Sequence, residues 1–244
     1  MWRMPNDTPP TPLPFPRFTA IDTWIFDLDN TLYPATTDLF TQVRDRMTHY
    51  IGARFGLAFD EARALQRRYY LEHGTTLRGL MSNDGVDPAE FLGFVHDIDL
   101  DGLAPATGLR AALARLPGRR LIYTNASTMH AKRVAERLGI FDLFDAVFDI
   151  VAADFEPKPD QAAFDRMVAA HGVDPRRAAF FEDIGRNLQP AAARGMATVL
   201  VRGNDEPGLD DGDRAHIHFE VDDLAEWLHA LVDGMGGGAR ALPA

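Results

Sequence analysis

Two carboxylates stand one residue apart at the end of an apolar stretch, in the segment Phe26-Asp27-Leu28-Asp29-Asn30-Thr31. Alternation along an extended strand puts Asp27 and Asp29 on one side, although the chain leaves the strand here and bends. Two anions so close repel each other unless a cation lies between them. Magnesium, which prefers carboxylate, carbonyl and water oxygens, is the economical cation. Asp27 can then attack phosphorus as a nucleophile, while Asp29 protonates the leaving alkoxide and later activates water. The alternative is that both residues cap a surface turn.

Two later segments offer groups that could hold a phosphate. In Tyr123-Thr124-Asn125-Ala126 a hydroxyl and an amide can donate hydrogen bonds to phosphate oxygens, although the same residue types also cap helices. In Glu156-Pro157-Lys158-Pro159 two prolines fix the backbone around a lysine and can aim its ammonium inward. A lone lysine is usually solvated, so Lys158 matters only in the company of the other residues.

A further acidic pair lies in the segment from Phe180 to Asn187, where an apolar strand meets a helix N-terminus. Acidic caps are common there, but two more carboxylates at the same sheet edge suggest the remaining metal ligands. We expect Asp183 to bind the metal directly. We expect Glu182 and Asn187 to support the direct ligands from behind.

These segments alternate with helical patterns, which predicts a parallel sheet covered by helices on both faces. The predicted strands are Thr23 to Leu28, Arg120 to Thr124, Ala146 to Ile150, Ala178 to Glu182, Thr198 to Val201 and His218 to Val221. The predicted helices of this α/β unit are Ser127 to Leu138, Pro159 to Gly172 and Leu188 to Arg194. In a parallel sheet the carboxyl ends of the strands form one edge, where ligands bind.

Residues 36–103 interrupt the alternation, because this region predicts helices in succession without a strand. The predicted helices are Asp38 to Phe55, Asp60 to Glu72 and Pro88 to Ile98. An insertion after the first strand lies above the ligand-binding crevice, which is the place for a lid. We therefore expect a catalytic core of residues 20–35 and 104–233, a helical cap of 36–103, a flexible Pro-rich arm of 1–19 and a flexible tail of 234–244.

Composition restricts the possible partners. The chain has 244 residues, no cysteine and a formal net charge of −11, and this charge argues against a nucleic-acid polymer as partner. No apolar run approaches the roughly 18 to 20 residues of a membrane helix, and the N-terminus is proline-rich where a signal peptide would be apolar. We expect a cytoplasmic enzyme without a membrane partner, and either a monomer or a homodimer.

The four segments, in this order on this strand pattern, resemble the haloacid dehalogenase superfamily, whose core is a Rossmann-like sheet with a mobile cap. The resemblance implies the following roles: Asp27 is the nucleophile, Asp29 the acid/base, Thr124 the phosphate-binding hydroxyl, Lys158 the charge-balancing lysine and Asp183 the acidic metal ligand. It also implies that Asp27 and the backbone carbonyl of Asp29 bind Mg²⁺. Asn30, Thr31 and Asn125 are predicted to contact the substrate phosphate.

A narrower resemblance is to the pyrimidine 5′-nucleotidase subgroup, through residues 27–34, 70–80, 94–97 and 123–133. Glu182 departs from it, because a second aspartate is expected there. The resemblance implies a Mg²⁺-dependent phosphatase for nucleoside monophosphates, pyrimidine ones preferred. The candidate cap contacts are Tyr70, His73, Thr75, Thr76 and His96.

Three other functions are weighed against this one. A sugar-phosphate or phosphoglycolate phosphatase or mutase would use the same core chemistry, and only the cap distinguishes it. A dehalogenase is disfavoured, because attack on carbon needs no leaving-group acid such as Asp29. A non-catalytic phosphometabolite sensor is disfavoured because every catalytic position is filled by a competent residue.

Overall fold

A computed structural model describes residues 15–203 and 214–237. Its centre is a six-stranded sheet with the order β3-β2-β1-β4-β5-β6, in which every neighbouring pair is parallel. The strands are β1 Thr23–Phe26, β2 Arg119–Tyr123, β3 Ala146–Phe148, β4 Ala178–Glu182, β5 Ala197–Val201 and β6 Phe219–Val221. The predicted α/β class and parallel sheet are confirmed.

The central strands are buried on both faces. Every residue of β1, β4 and β5 is buried, as expected for continuous apolar runs in a parallel sheet. Phe26 and Phe181 belong to one hydrophobic cluster, whereas their neighbours Ile25 and Phe180 belong to a second one. Alternate residues of a strand therefore anchor the helices on opposite faces of the sheet.

Ten α-helices surround or extend this sheet in the described part of the chain. They are α1 Phe15–Phe18, α2 Leu39–Phe55, α3 Phe59–His73, α4 Thr76–Asp84, α5 Pro88–Val95, α6 Thr107–Leu113, α7 Thr128–Arg137, α8 Gln161–His171, α9 Gln189–Ala193 and α10 Leu224–Gly237. Helices α6, α7 and α10 contribute to the first cluster, and α8 and α9 to the second. Among the described residues, no helix has both the length and the hydropathy of a membrane span.

Helices α2 to α5 follow β1 with no strand between them, and we call residues 39–95 the helical insert. Helix α4 adds to the three helices predicted here. Its N-cap is Thr75, whose Oγ accepts a hydrogen bond from the Arg78 N–H at 3.2 Å. Gly79 lies against Tyr69 of α3, so this short helix packs closely on its neighbour.

Both predicted flexible ends need correction. Residues 1–14 and 238–244 lie outside the described part of the chain, but Phe15–Phe18 is helical and Phe18 is fully buried beside Trp24 and Trp227. The burial of the Phe18 ring is favourable enough to keep this short helix on the protein, although the many prolines before it predict a flexible arm. At the other end α10 continues to Gly237, past the predicted start of the tail at residue 234.

Candidate active site

Asp27 is the first residue beyond β1, and the chain turns directly after it. The Asp27 N–H still donates to the Phe181 carbonyl of β4 at 2.9 Å, and Leu28 then accepts a hydrogen bond from the Leu32 N–H. Asn30 has a φ of +59°, a left-handed conformation that asparagine tolerates. β1 ends at Phe26, two residues before the predicted end at Leu28, so the chain leaves the strand and bends before Asp29, as expected. The two carboxylates have different partners.

Lys158 links the segments that the sequence analysis singled out. Its buried Nζ lies 2.5 Å from Asp27 Oδ1, 2.8 Å from Glu182 Oε1 and 3.1 Å from the Tyr123 carbonyl oxygen. Its backbone N–H donates to Asn125 Oδ1 at 2.9 Å, which fixes the loop before Pro159. Residues from four separate parts of the chain thus meet at the carboxyl edge of the sheet.

Three buried carboxylates, of Asp27, Glu182 and Asp183, each place an oxygen within 4.8 Å of the others. Glu182 is further held by the Asn187 side-chain amide at 2.6 Å and by the Ile184 N–H at 2.6 Å. Three carboxylates around one lysine leave an excess of negative charge. The donor set therefore fits a hard divalent cation, for which all the ligands are oxygens. The side chain of Asp29, predicted beside this metal, is not in the cluster.

Burial and charge shape the ionisation of this cluster. Burial raises the pKa of Asp27 to about 7, and Glu182 and Asp29 add to the rise while Lys158 opposes it. Burial also works against the charge on Lys158, but Asp27 and Glu182 outweigh it and raise the lysine pKa. The ammonium therefore remains protonated throughout the neutral range.

The Asp29 carboxylate has its own pair of donors. Its Oδ1 lies 2.6 Å from the Tyr33 hydroxyl and 2.9 Å from His130 Nε2. The pKa of Asp29 is lowered overall. Burial alone would raise it, but the nearby His130 charge and the hydrogen bonds from His130 and Tyr33 outweigh burial. The sequence analysis assigned no role to Tyr33 or His130. Both residues lie in stretches that carry the narrower resemblance, Tyr33 in residues 27–34 and His130 in residues 123–133.

Not all the residues predicted to contact the phosphate line the cavity. Asn30, Thr124 and Asn125 line the cavity beside Asp27. Thr124 Oγ accepts a hydrogen bond from the Ala126 N–H at 3.0 Å. Thr31 is buried but does not line this cavity, and its Oγ has no hydrogen-bond partner among the described residues. The buried Asn187 Oδ1 also lacks one in the described part of the chain.

The cavity, of about 250 Å³, extends from the carboxylate cluster into the helical insert. The insert lines the cavity with both apolar and charged side chains. The apolar ones on α2 and α5 include Val43, Met47, Phe91, Leu92 and Val95, and the charged ones on α2 and α3 are Arg44, Asp45, Arg63 and Arg67. The apolar side chains suit an apolar or aromatic portion of a ligand, and the arginines suit an anionic one.

Four of the five candidate cap contacts, Tyr70, Thr75, Thr76 and His96, line the cavity. His73 does not line it, and its Nε2 lies 3.0 Å from the Asn83 side-chain amide. Thr75 caps α4, as described above, and Thr76 Oγ lies 3.4 Å from the Gln66 carbonyl oxygen. Several of these side chains therefore have a structural partner already.

Arg186 also lines the cavity, which the sequence analysis did not predict. It follows Asp183 by three residues, and its guanidinium lies over the Tyr70 ring of the helical insert, 5.6 Å from the ring centroid. Its buried Nε has no hydrogen-bond partner among the described residues. A half-buried cation with an unpaired donor at the cavity wall is suited to an anionic ligand.

Comparison with known proteins identifies the family. Residues 21–195 match the family model described as haloacid dehalogenase-like hydrolase. The chain is 31% identical over 210 residues to Phosphate metabolism protein 8 of Saccharomyces cerevisiae, a match that covers 80% of this chain. It is 37% identical over 135 residues to Enolase-phosphatase E1 of Frankia alni, covering 54% of this chain. The chain spans only 64% and 53% of the length of these two relatives.

The solved structures show the same fold. One of them, CbbY from Rhodobacter sphaeroides in complex with phosphate, has a TM-score of 0.59 and 19% identity, and the match covers 84% of this chain and 96% of that one. At this identity the similarity establishes the architecture alone.

Proposed function

Because the chain belongs to the haloacid dehalogenase-like hydrolases, we propose that it is a Mg²⁺-dependent phosphatase that hydrolyses small phosphate monoesters through a phosphoryl group on Asp27. The observation that carries this proposal is the convergence of Asp27, Lys158, Glu182 and Asp183 at one buried point. Phosphoryl transfer depends mainly on positioning and charge neutralisation, which is what such a cluster supplies.

In the proposed reaction the Asp27 carboxylate attacks phosphorus, an acyl-phosphate bond forms and the ester P–O bond breaks. Asp29 gives the departing alkoxide its proton. The pKa of Asp29 is lowered in the substrate-free protein, so this proton is taken up as the anionic substrate binds and raises that pKa. Water then attacks the phosphorus, gives a proton back to Asp29 and releases phosphate from Asp27.

The remaining polar groups of the site are proposed to stabilise the charges on Asp27, the phosphate and the metal ion during these steps. Lys158 fixes the Asp27 carboxylate by its hydrogen bond and offsets part of the negative charge. Thr124 and Asn125 are proposed to donate to phosphate oxygens. Asp27, the Asp29 carbonyl and Asp183 are proposed to hold Mg²⁺, supported by Glu182 and Asn187, and the cation when bound neutralises charge on the phosphate.

We propose nucleoside monophosphates, with a preference for pyrimidines, as the substrate class. The apolar side chains that α2 and α5 place in the cavity support a flat, weakly polar group there, and Arg186, over the Tyr70 ring, offers a cation in addition to the arginines of the insert. Residues 36–103 are proposed to act as a cap over a core of 20–35 and 104–233.

The test is release of inorganic phosphate from a panel of nucleoside monophosphates and sugar phosphates, with Mg²⁺ and with a chelator. Wild-type protein is expected to turn over uridine and cytidine monophosphates at least about tenfold better than hexose phosphates, a difference of roughly 1.4 kcal/mol. Faster turnover of hexose phosphates would instead assign a sugar-phosphate phosphatase.

Asp27→Asn is expected to lower turnover by more than about 1,000-fold, because the nucleophile is lost. Asp22→Asn is the matched control, since Asp22 precedes the same strand, is partly exposed and pairs with Arg177 at 2.7 Å. The control should keep its activity. Phosphate-ester binding without turnover by the wild type, measured by calorimetry, would overturn the proposal in favour of a sensor.

A further inference from the structure

The two donors on Asp29 bind the same oxygen. The Tyr33 hydroxyl and His130 Nε2 both reach Oδ1, at 2.6 and 2.9 Å, and no described residue forms a hydrogen bond with Oδ2. A carboxylate oxygen that already accepts two hydrogen bonds has little capacity left for a proton. With His130 Nε2 as the donor, a proton carried by Asp29 sits on Oδ2, and Asp29 lines the cavity.

The His130 ring is itself held from two sides. It is buried, and the His96 ring stacks on it with centroids 4.4 Å apart and an interplanar angle of 21°. His96 Nδ1 lies 2.9 Å from the Ser127 hydroxyl, which also accepts a hydrogen bond from the His130 N–H at 3.3 Å. The imidazole that reaches Asp29 is therefore packed into one orientation.

Arg133 ties this arrangement to the end of the helical insert. Its guanidinium donates to the His96 carbonyl at 2.7 Å and to the Ile98 carbonyl at 3.0 Å. Helix α7, which carries both His130 and Arg133, is thus fixed against the chain that leaves α5. The position of His130 follows from packing between the helical insert and the sheet edge.

We propose that His130 is a positioning residue that, together with Tyr33, fixes the Asp29 carboxyl group so that Oδ2 faces the leaving oxygen of the substrate. This inference rests on the proposed phosphatase function, because it concerns the proton donor of that reaction. Without the two anchors the carboxyl group can rotate, and a fraction of the molecules presents the proton away from the leaving group. Rate is lost when a reacting group leaves its productive geometry.

The test uses a series of phosphate monoesters that differ in the leaving group. An alkyl alkoxide needs a proton as it departs, whereas dinitrophenolate leaves without one. His130→Leu is expected to lower kcat/KM by about 100-fold for alkyl phosphates, the usual minimum contribution of a general acid, and by less than about threefold for dinitrophenyl phosphate. A purely structural role would lower both values by the same factor.

Two further variants make the test specific to the hydrogen bond. His130→Gln keeps an N–H donor near the position of Nε2 and should recover most of the alkyl-phosphate activity. Tyr33→Phe removes only a hydroxyl and should steepen the leaving-group dependence in the same direction. In an Asp29→Asn background, His130→Leu should lower kcat/KM by less than about threefold, since the group it positions is already lost.

His49→Gln is the matched control, because His49 is exposed on α2 and does not line the cavity. It should leave the leaving-group dependence unchanged. If His130→Leu lowers activity equally for every ester, or adds its full loss to Asp29→Asn, the positioning role is wrong while the phosphatase function stands. If the wild type hydrolyses none of the esters, the proposed function fails first.

Discussion

The sheet edge and the helical insert build the two ends of one cavity in different ways. At the edge the charged groups bind one another, as the contacts of Lys158 with Asp27 and Glu182 show. In the insert, apolar side chains of α2 and α5 line the cavity together with Arg44, Arg63 and Arg67, and the polar Thr48 and Gln66 side chains bind each other at 2.6 Å. The comparison suggests that the edge sets the reaction and the insert selects the substrate. A change at the edge should therefore affect every substrate, whereas a change in the insert should affect some substrates more than others.

Lys158→Met is expected to have the largest effect, because it removes the cation that two buried carboxylates share. Turnover should fall by about 100- to 1,000-fold for all substrates alike, as when a preorganised charge partner is lost. With chelator present, the free energy of unfolding should fall by roughly 3 to 5 kcal/mol, the cost of breaking a buried ion pair. Steady-state kinetics and urea unfolding measure the two effects.

Lys132→Met is the control for this change, since Lys132 is exposed and its nearest carboxylate, that of Glu136, is 3.8 Å away. Both its stability and its turnover should stay close to the wild-type values. A Lys158→Met protein that lost activity toward one substrate class only would contradict the assignment of the reaction to the edge.

Arg186→Gln tests the boundary between the two regions. The guanidinium belongs to the edge but lies over Tyr70 of the insert. We expect KM for nucleoside monophosphates to rise by about 10- to 100-fold with kcat little changed, because a charge-assisted hydrogen bond contributes roughly 1.5 to 3 kcal/mol. Arg176→Gln changes an exposed arginine and is the control. A fall in kcat with constant KM would move Arg186 into the reaction itself.

The sequence pointed to most residues of the edge, because all but Lys158 lie at or directly after the end of a strand. Asp27 comes after β1, and Asp183 comes after β4. Parallel strands bring such residues together whatever the details of packing. Lys158 comes from a loop. Its flanking prolines and the hydrogen bond of its backbone N–H to Asn125 restrict the loop backbone, so that the side chain reaches the edge.

The residues that the sequence did not reveal depend on how helices pack. Whether His130 faces Asp29 is decided by the orientation of α7, which is fixed through contacts with the chain after α5. Asp29 lies beyond the end of β1 at Phe26, where the chain bends, so strand alternation does not decide which side chains it meets. Alternation and periodicity describe a segment by itself, so they do not predict which helix face meets a neighbour.

Gly79→Ala sharpens the comparison by disturbing only the insert. A Cβ at Gly79 would lie 2.4 Å from the Tyr69 Cβ, so α3 and α4 would have to separate. Overpacking of this kind costs about 1 to 3 kcal/mol. Unfolding by urea should show this loss, and substrate preference should change more than the activity toward a small phosphate ester.

Gly93→Ala is the matched control, since a Cβ there meets nothing within 4 Å and the residue is exposed in α5. Alanine should stabilise this helix by about 0.5 to 1 kcal/mol. If both variants lost stability equally, the close contact at Gly79 would not be the cause.

His96 connects the insert with the edge and gives the smallest predicted effect, a dependence of stability on pH. Burial lowers the pKa of His96 to about 3, and His130 and Arg133 lower it further while Asp29 opposes them. The unfolded chain takes up a proton below pH ~6.5 but the folded protein does not, so stability is present above this pH and is lost as the pH falls. At one pH unit below 6.5 the expected loss is about 1.4 kcal/mol.

His96→Phe should remove this part of the pH dependence, as measured by urea unfolding between pH 5.5 and pH 7.5, roughly one unit on either side of the histidine midpoint. Parallel stability curves for wild type and variant would mean that the folded and the unfolded chain take up the His96 proton over the same pH range, and that the burial of His96 between the two regions is weaker than its position implies.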